Sequence, residues 1–559
     1  MKRIDSCLAV LIFLTSFVFF HHTLSYPFIG LDDQIQILDN PLIQKLSWPH
    51  LYTMLGQFHF GQYWPITLFS YAADYSVWGP NVYGFRLTNL ILHALNSMLL
   101  YGLFRHMAVK IFPAFFAALI FACHPVQIEP LIWISARKYV LASLFLLGTF
   151  MCHLKFRETG KPIYGGMRFL TFLAALLANP LSAALPLILL VYDYVYLKRS
   201  RSAKLAKEHL FFFLIALLMG IVFILAARSE GYFQPHTMPQ NWPTTFFLIP
   251  TVLWRFMLLA LLPVQQSFMY DVIWEGPIWK YLIALSALIV MVFYLFKKRR
   301  EYREFNFWIS WFFIFLTPVL FLPARAVLHD RYLYLPLIGL SMGGISLFNS
   351  WARSKPKSFL LKGIASLSAC LILITYGWTS WKRSFVWETQ FALLSDTLKK
   401  APRHYHSHFG MAIEWSNQGE YDLALKELNE SLRTPIRPGS YDKVYGVMSE
   451  VYYLQGNYEE SIRALKQANA ESEKAIYHID LGVLYHKIGR FEEAINANLK
   501  AIEMGFQEPD AYNNLGLTYK SQGNYEKAAE AYRMALKLDP DFQKAFRNLA
   551  VLAKDESPS

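Results

Sequence analysis

Apolar residues in this chain are gathered into long runs separated by short polar stretches. Eleven runs suggest bilayer-crossing helices, near 5–24, 86–104, 111–128, 139–154, 167–179, 181–197, 208–227, 279–296, 306–323, 332–349 and 358–379, because a crossing takes about 17–25 apolar residues. The runs at 139–154 and 167–179 are short and must borrow flanking residues. A further apolar segment, 246–263, is read as an interfacial or re-entrant helix inside an external loop, 229–277. If it crossed, the Lys297-Lys298-Arg299-Arg300 cluster would land opposite the other basic clusters. The first run follows Lys2 and Arg3 and shows no small-x-small cleavage site before Tyr26, so it is expected to be an uncleaved anchor.

After Ser384 the pattern changes. Gly419-Glu420-Tyr421-Asp422 recurs as Gly456-Asn457-Tyr458-Glu459, Gly489-Arg490-Phe491-Glu492 and Gly523-Asn524-Tyr525-Glu526, at intervals of 37, 33 and 34 residues. This is the tetratricopeptide period of paired helices. Four repeats are expected to start near 405, 442, 475 and 509, with Phe542–Lys554 as a capping helix. The predicted fold is therefore all-α: a polytopic membrane core over 1–384, then a tetratricopeptide solenoid over 385–559. Such repeats bind a peptide or protein in their concave groove or serve as a structural platform.

Composition agrees with this division. The chain has 559 residues, 55% of them hydrophobic and 17% charged, with mean hydropathy +0.26; soluble domains carry about 25% charge. An ordinary cytosolic enzyme is excluded for the first part. The net charge of +13 is also unevenly placed: residues 1–384 hold 33 Lys/Arg and 15 Asp/Glu, while 385–559 hold 20 and 25. The basic excess lies in clusters between apolar runs, namely Lys2/Arg3, Arg105/Lys110, Lys155 to Arg168, Lys198 to Lys207, Lys297 to Arg303 and Arg353 to Lys362. They fall on alternate loops, which assigns those loops to the cytoplasm and the repeats to the other side. Nucleic acid is not indicated as a partner. Cys7, Cys123, Cys152 and Cys370 sit in apolar stretches without CxxC spacing and read as packing groups. His404, His406 and His408 read as exposed histidines at a helix start.

Acidic residues are scarce in the first 384, so those on external loops stand out. Asp32 and Asp33 follow the first span, in FIGLDDQIQILDNP. Such a pair can act as a general base or bind a cation; a solvated loop start or helix cap is the plainer reading. In HPVQIEPLIWISARKY, Glu129, Arg137 and Lys138 lie on the external side, where the two cations run against the positive-inside trend. They serve as snorkelling anchors or hold an anionic lipid headgroup. LPARAVLHDRYLYLP adds Arg325, His329, Asp330 and Arg331. Together these loops supply carboxylates and cations, the inventory needed to bind a phosphate leaving group and deprotonate an acceptor.

The DD pair, GQYWPITLFSYAADY (61–75), RLTNLILHALN (86–96), HPVQIE (124–129), WISARK (133–138), DRYLYLPLIGL (330–340) and the terminal repeats together resemble a known family. It is that of the transmembrane-and-tetratricopeptide protein O-mannosyltransferases and their bacterial relatives, in the GT-C glycosyltransferase superfamily. The resemblance implies inverting transfer of a sugar, such as mannose, from a polyprenyl-phosphate donor to a hydroxyl, with a protein acceptor held by the repeats. It puts the base at Asp33 or Asp32, with Asp33 narrowly preferred. Arg137, Lys138 and Arg331 would then contact the lipid phosphate, with Glu129 and Asp330 as supporting acids. The implied setting is a bacterial inner membrane with periplasmic repeats. Two departures are visible: Ala136-Arg137-Lys138-Tyr139 stands where the family reads Glu-Arg-Lys-Asp, and Ala178-Asn179-Pro180 where it reads Ser-Lys-Pro. They leave the sugar and any divalent cation open, and they keep an inactive membrane scaffold that displays the repeats as the alternative. A transporter is disfavoured, since the polar groups cluster on outer loops rather than at mid-span.

Overall fold

The computed structural model describes residues 2–30, 32–197, 203–229, 242–270, 278–298, 301–321, 328–354, 359–434 and 441–555. Arg325 and parts of three basic clusters, residues 198–202, 299–300 and 355–358, lie outside the described residues. Among the described residues the chain is helical, and a lone β-bridge joins His59 to Gln62.

A helix lies under each of the eleven apolar runs. By length and composition, four of the described helices suffice to cross a membrane by themselves: Arg3–Ser25, Val82–His106, Ile134–Thr159 and Lys207–Ser229. A fifth is available if Ile111–Cys123 and Pro125–Ile132, bent by 50° at His124, count as one span. Others are apolar but shorter, such as Pro162–Ala178, Leu282–Leu295 and Pro336–Phe348. The segment 246–263 falls on the helix Trp242–Leu261, which contains Pro250 and packs against Ile278–Lys297.

Local chemistry sets the helix ends. The helix Arg137–Thr159 stops at Gly160, whose φ of +65° is left-handed backbone that a side chain would strain. Pro162 then opens the helix Pro162–Ala178, where its missing N–H costs nothing, and the two helices pack along each other. Elsewhere the packing depends on a missing side chain. A Cβ at Gly339 would stand 2.3 Å from the carbonyl oxygen of Trp308. The helices Arg303–Leu316 and Pro336–Ser354 therefore touch backbone to backbone.

Most of the apolar core runs through these helices, but a second, smaller core lies under the polypeptide between the first two apolar runs. Ile37, Ile43, Met54, Trp64, Leu68, Tyr71, Ala72, Phe85 and Ile134 are buried together there. The pattern of apolar positions left 26–85 without elements. The structure gives it two α-helices, Trp48–Gly56 and Pro65–Trp78, and a π-helical turn, Gln34–Leu38, before the helix Val82–His106 begins. Their apolar stretches are short and interleaved with Ser70, Asp74 and tyrosines, so a search for long runs passes over them.

The chain divides into two compact units, Met1–Lys400 and Ala401–Ser559. The charge shifts at Ser384, yet the helix Gln390–Lys400 belongs to the first unit because Leu393 and Trp387 are buried in its core. The second unit is an α-solenoid of paired helices: Tyr405–Asn417 with Tyr421–Arg433, Asp442–Leu454 with Tyr458–Glu471, Ala475–Lys487 with Phe491–Glu503, and Pro509–Ser521 with Tyr525–Leu538. The helix Gln543–Asp555 closes the series. Each pair turns on the repeated glycine, with φ of +78° to +80° at Gly419, Gly456, Gly489 and Gly523. In this unit His408 is held by Glu427 at 2.6 Å and the Pro402 carbonyl at 2.9 Å.

Candidate active site

The site is organised by buried arginines. After the first helix the chain runs without regular structure through Tyr26 to Ile29, and Arg86 from the helix Val82–His106 fastens it there. Arg86 is buried and donates to the carbonyls of Tyr26 at 3.1 Å, Pro27 at 2.5 Å and Ile132 at 2.5 Å. The stretch bearing the Asp pair is thereby tied to the loop bearing Ser135, Arg137 and Lys138.

Asp32 and Asp33 then take different roles. Asp33 is fully buried, and its Oδ1 accepts from the Ser135 N–H at 2.9 Å and the Ser135 hydroxyl at 2.5 Å, while Oδ2 accepts from the Ile29 N–H at 3.3 Å. Burial pushes its pKa up to about 6 against the opposing pull of the Ser135 bonds. Asp32 is exposed, and its charge reaches Lys138. Both stand at the start of a π-helical turn, Gln34–Leu38, a widening that recurs at functional sites.

Arg137 is not a free cation. Its Nε donates to Asn89 Oδ1 at 2.7 Å, Nη1 to the Ser70 carbonyl at 3.1 Å and hydroxyl at 3.4 Å, and Nη2 to the Phe85 carbonyl at 2.9 Å. Nη2 also lies 2.5 Å from Asp74 Oδ2, and the guanidinium stacks 4.7 Å over the Tyr71 ring. All five N–H groups thus face protein acceptors, and the side chain is buried. A phosphate contact at Arg137, as the sequence led us to expect, would require breaking this set. Lys138, the next residue, is only half-buried. It gives one N–H to Gln62 Oε1 at 2.7 Å and sits 5.5 Å from the Trp64 ring.

Arg331 comes from a separate loop, and its charge also acts on Lys138. Its guanidinium pairs with buried Glu129 and lies 5.0 Å over the Trp133 ring, while its backbone N–H donates to Glu129 Oε2 at 3.1 Å. Asp330 is buried beside it and accepts from Tyr270 at 2.6 Å and Gln266 at 2.8 Å. Burial, then the negative charge of Glu129, pushes its pKa up to about 7. The positions that depart from the family pattern are buried: Ala136, Tyr139, Ala178 and Asn179. Tyr139 packs edge-on against Tyr332, with ring centroids 5.9 Å apart. Tyr139, Asn179, Ser182, Arg331 and Tyr332 line one small cleft.

The structure thus gathers Asp32, Lys138 and Arg331 with Asp33 and Glu129 as buried supports. Sequence reasoning missed Arg86, Ser135, Asn89 and Gln62, which position them. It also missed Arg383, whose charge reaches Glu129 and Asp330 and which pairs with Asp396. The buried RLTN string, with two polar residues facing a core, was the available signal.

A model of the tetratricopeptide repeat family matches residues 509–542, and a TPR repeat model matches 482–523. The chain is 25% identical over 376 residues to "Protein O-mannosyl-transferase F38B6.6" of Caenorhabditis elegans, covering 64% of this chain and 51% of that protein. It is 23% identical over 442 residues to "Protein O-mannosyl-transferase TMTC1" of Homo sapiens, covering 66% and 48%. "Protein O-mannosyl-transferase TMTC2" of Homo sapiens matches at 29% over 147 residues, covering 25% and 17%. The relatives are protein O-mannosyltransferases by name. This chain spans about half the length of the first two, 51% and 48%, and it carries the tetratricopeptide repeats.

Proposed function

We propose that this protein is a multi-pass membrane glycosyltransferase of GT-C type. It moves a sugar such as mannose from a polyprenyl-phosphate donor to a Ser or Thr hydroxyl of an extracytoplasmic protein, which the repeats hold. The observation that carries the reading is that an exposed carboxylate, Asp32, and the cation Arg331 both lie within electrostatic reach of Lys138, on a frame of buried residues. The names of the relatives support the reaction class. The alternation of basic clusters supports eleven crossings and repeats outside the cytoplasm, in a bacterium the periplasm.

In the proposed reaction Asp32 takes the proton of the acceptor hydroxyl as its oxygen attacks the anomeric carbon. The bond from that carbon to the phosphate oxygen breaks on the opposite face, which inverts the centre. Lys138 and Arg331 stabilise the polyprenyl phosphate that leaves with the electron pair. Asp33 holds the Ser135 loop, and Arg137 braces the helix that presents Lys138.

The test is incubation of the purified full-length protein with labelled polyprenyl-phosphate sugars and a periplasmic protein extract. Label should pass to protein with wild type and not with Asp32→Asn. Inactivity of the wild type on every donor, with donor binding also absent, would favour the scaffold.

A further inference from the structure

A second polar cluster lies at the opposite end of the helix Arg137–Thr159, and the proposed reaction makes no use of it. Asp193 is buried and begins a π-helical turn, Asp193–Leu197. It accepts from Arg157 at 2.6 Å and 3.1 Å, and it meets His153 at 3.0 Å and His209 at 2.9 Å. Glu208 accepts from Arg157 at 2.8 Å and Arg168 at 3.2 Å.

Arg168 is 6% exposed, and its guanidinium lies between the rings of Phe156, at 4.1 Å, and Phe212, at 5.4 Å. Its other hydrogen-bond contact is His153 Nδ1, 3.2 Å from Nη1. Its Nε has no hydrogen-bond partner among the described residues. Beside it opens a cleft of about 560 Å³ lined by Arg168, Lys207, Glu208, Gly165 and three phenylalanines.

Charge and shape favour one kind of occupant. Two carboxylates, Asp193 and Glu208, are already engaged by Arg157 and Arg168, and Lys207 is a third cation on the wall of the cleft. One positive charge is left over, at exposed Lys207. The adjoining wall is apolar and open: Phe211 is 51% exposed, and Leu210 and Leu214 beside it are exposed as well. A phosphate ester beside the cations and acyl chains along the helix Ala203–Ser229 would satisfy both faces. Basic pockets between membrane helices take anionic lipids for the same reason. A free phosphate would use the cations and leave the apolar wall bare.

We propose that the cleft lined by Gly165, Arg168, Phe169, Lys207, Glu208 and Phe211 holds the headgroup phosphate of an anionic phospholipid. The site rests on the reading that these helices cross a bilayer and is separate from the transfer chemistry.

Native mass spectrometry of the full-length protein, reconstituted with phosphatidylglycerol or phosphatidylcholine and then stripped in detergent, tests it. Wild type should retain one phosphatidylglycerol and no phosphatidylcholine. Lys207→Glu and Arg168→Gln should each weaken retention about tenfold or more. Lys207 is exposed, so its variant keeps the test decisive if Arg168→Gln fails to fold. Equal retention of phosphatidylcholine, unchanged retention in Lys207→Glu, or displacement of the lipid by millimolar inorganic phosphate would each overturn the proposal.

Discussion

The helix Arg137–Thr159 carries an arginine near each end, and the two are held in opposite ways. Arg137 donates to uncharged oxygens of Asn89, Ser70 and Phe85 and meets a single carboxylate, Asp74. Arg157 is gripped by two, Asp193 and Glu208. Twenty residues at 1.5 Å each separate them by about 30 Å, the thickness of a bilayer's hydrocarbon core. The difference shows what each end is built to do. Carbonyls and an amide take most of the first arginine's N–H groups and Asp74 is the one acid it enlists, so Asp32 stays exposed near Lys138. At the far end the carboxylates are consumed in the frame itself. There the surplus is a cation, Lys207.

The contrast can be broken first at Asp32. Asp32→Asn should lower the transfer rate by about 10² to 10⁴, the usual contribution of a positioned base, with the melting temperature unchanged because the side chain is exposed. Full activity would shift the base to another acid, Glu129 or Asp330 among them.

The next largest effect should come from the arginines. Arg137→Ala leaves Asp74 without its cation and should cost about 3–5 kcal/mol in unfolding free energy. Arg157→Ala should cost less, about 1–3 kcal/mol, because His153 and His209 still hold Asp193. Equal losses in denaturant titrations of the two variants would remove the distinction drawn above.

Lys138→Gln should weaken donor binding by about tenfold while the fold holds. A direct binding measurement with the polyprenyl-phosphate sugar reads this, and unchanged affinity would return Lys138 to an anchoring role.

The smallest effect concerns pH. The pKa of Asp33 is raised, to about 6 from the ordinary 3.8, so the folded protein binds this proton more readily than the unfolded chain. Stability from this group should therefore increase as pH falls from 7 toward 4, by less than about 3 kcal/mol. Comparing the melting of wild type and Asp33→Asn across that range isolates it, since the variant should lack the increment.

What was legible in the sequence follows from the range of the interactions. Each repeat closes on its own glycine and its nearest neighbours, so Gly419, Gly456, Gly489 and Gly523 mark the solenoid helix by helix. The apolar runs likewise coincide with helices because burial or lipid demands a continuous surface. Arg137 shows the limit. Its position against the positive-inside trend is visible, but its acceptors Ser70, Phe85 and Asn89 lie 67, 52 and 48 residues away, and no local pattern announces them. Asp33 was narrowly preferred over Asp32 for the same reason: adjacent acids look alike until Ser135, 102 residues on, bonds one of them.

The three carbonyls bound by Arg86 also set an order of assembly. Residues 26 and 27 emerge from the ribosome early, but the same guanidinium must also reach Ile132. The Asp pair therefore cannot reach its final place while only the first two helices have been made, because both Ile132 and Ser135 lie beyond the bend at His124. A nascent chain truncated before residue 132 would carry both acids and still lack the arrangement that gives them different tasks.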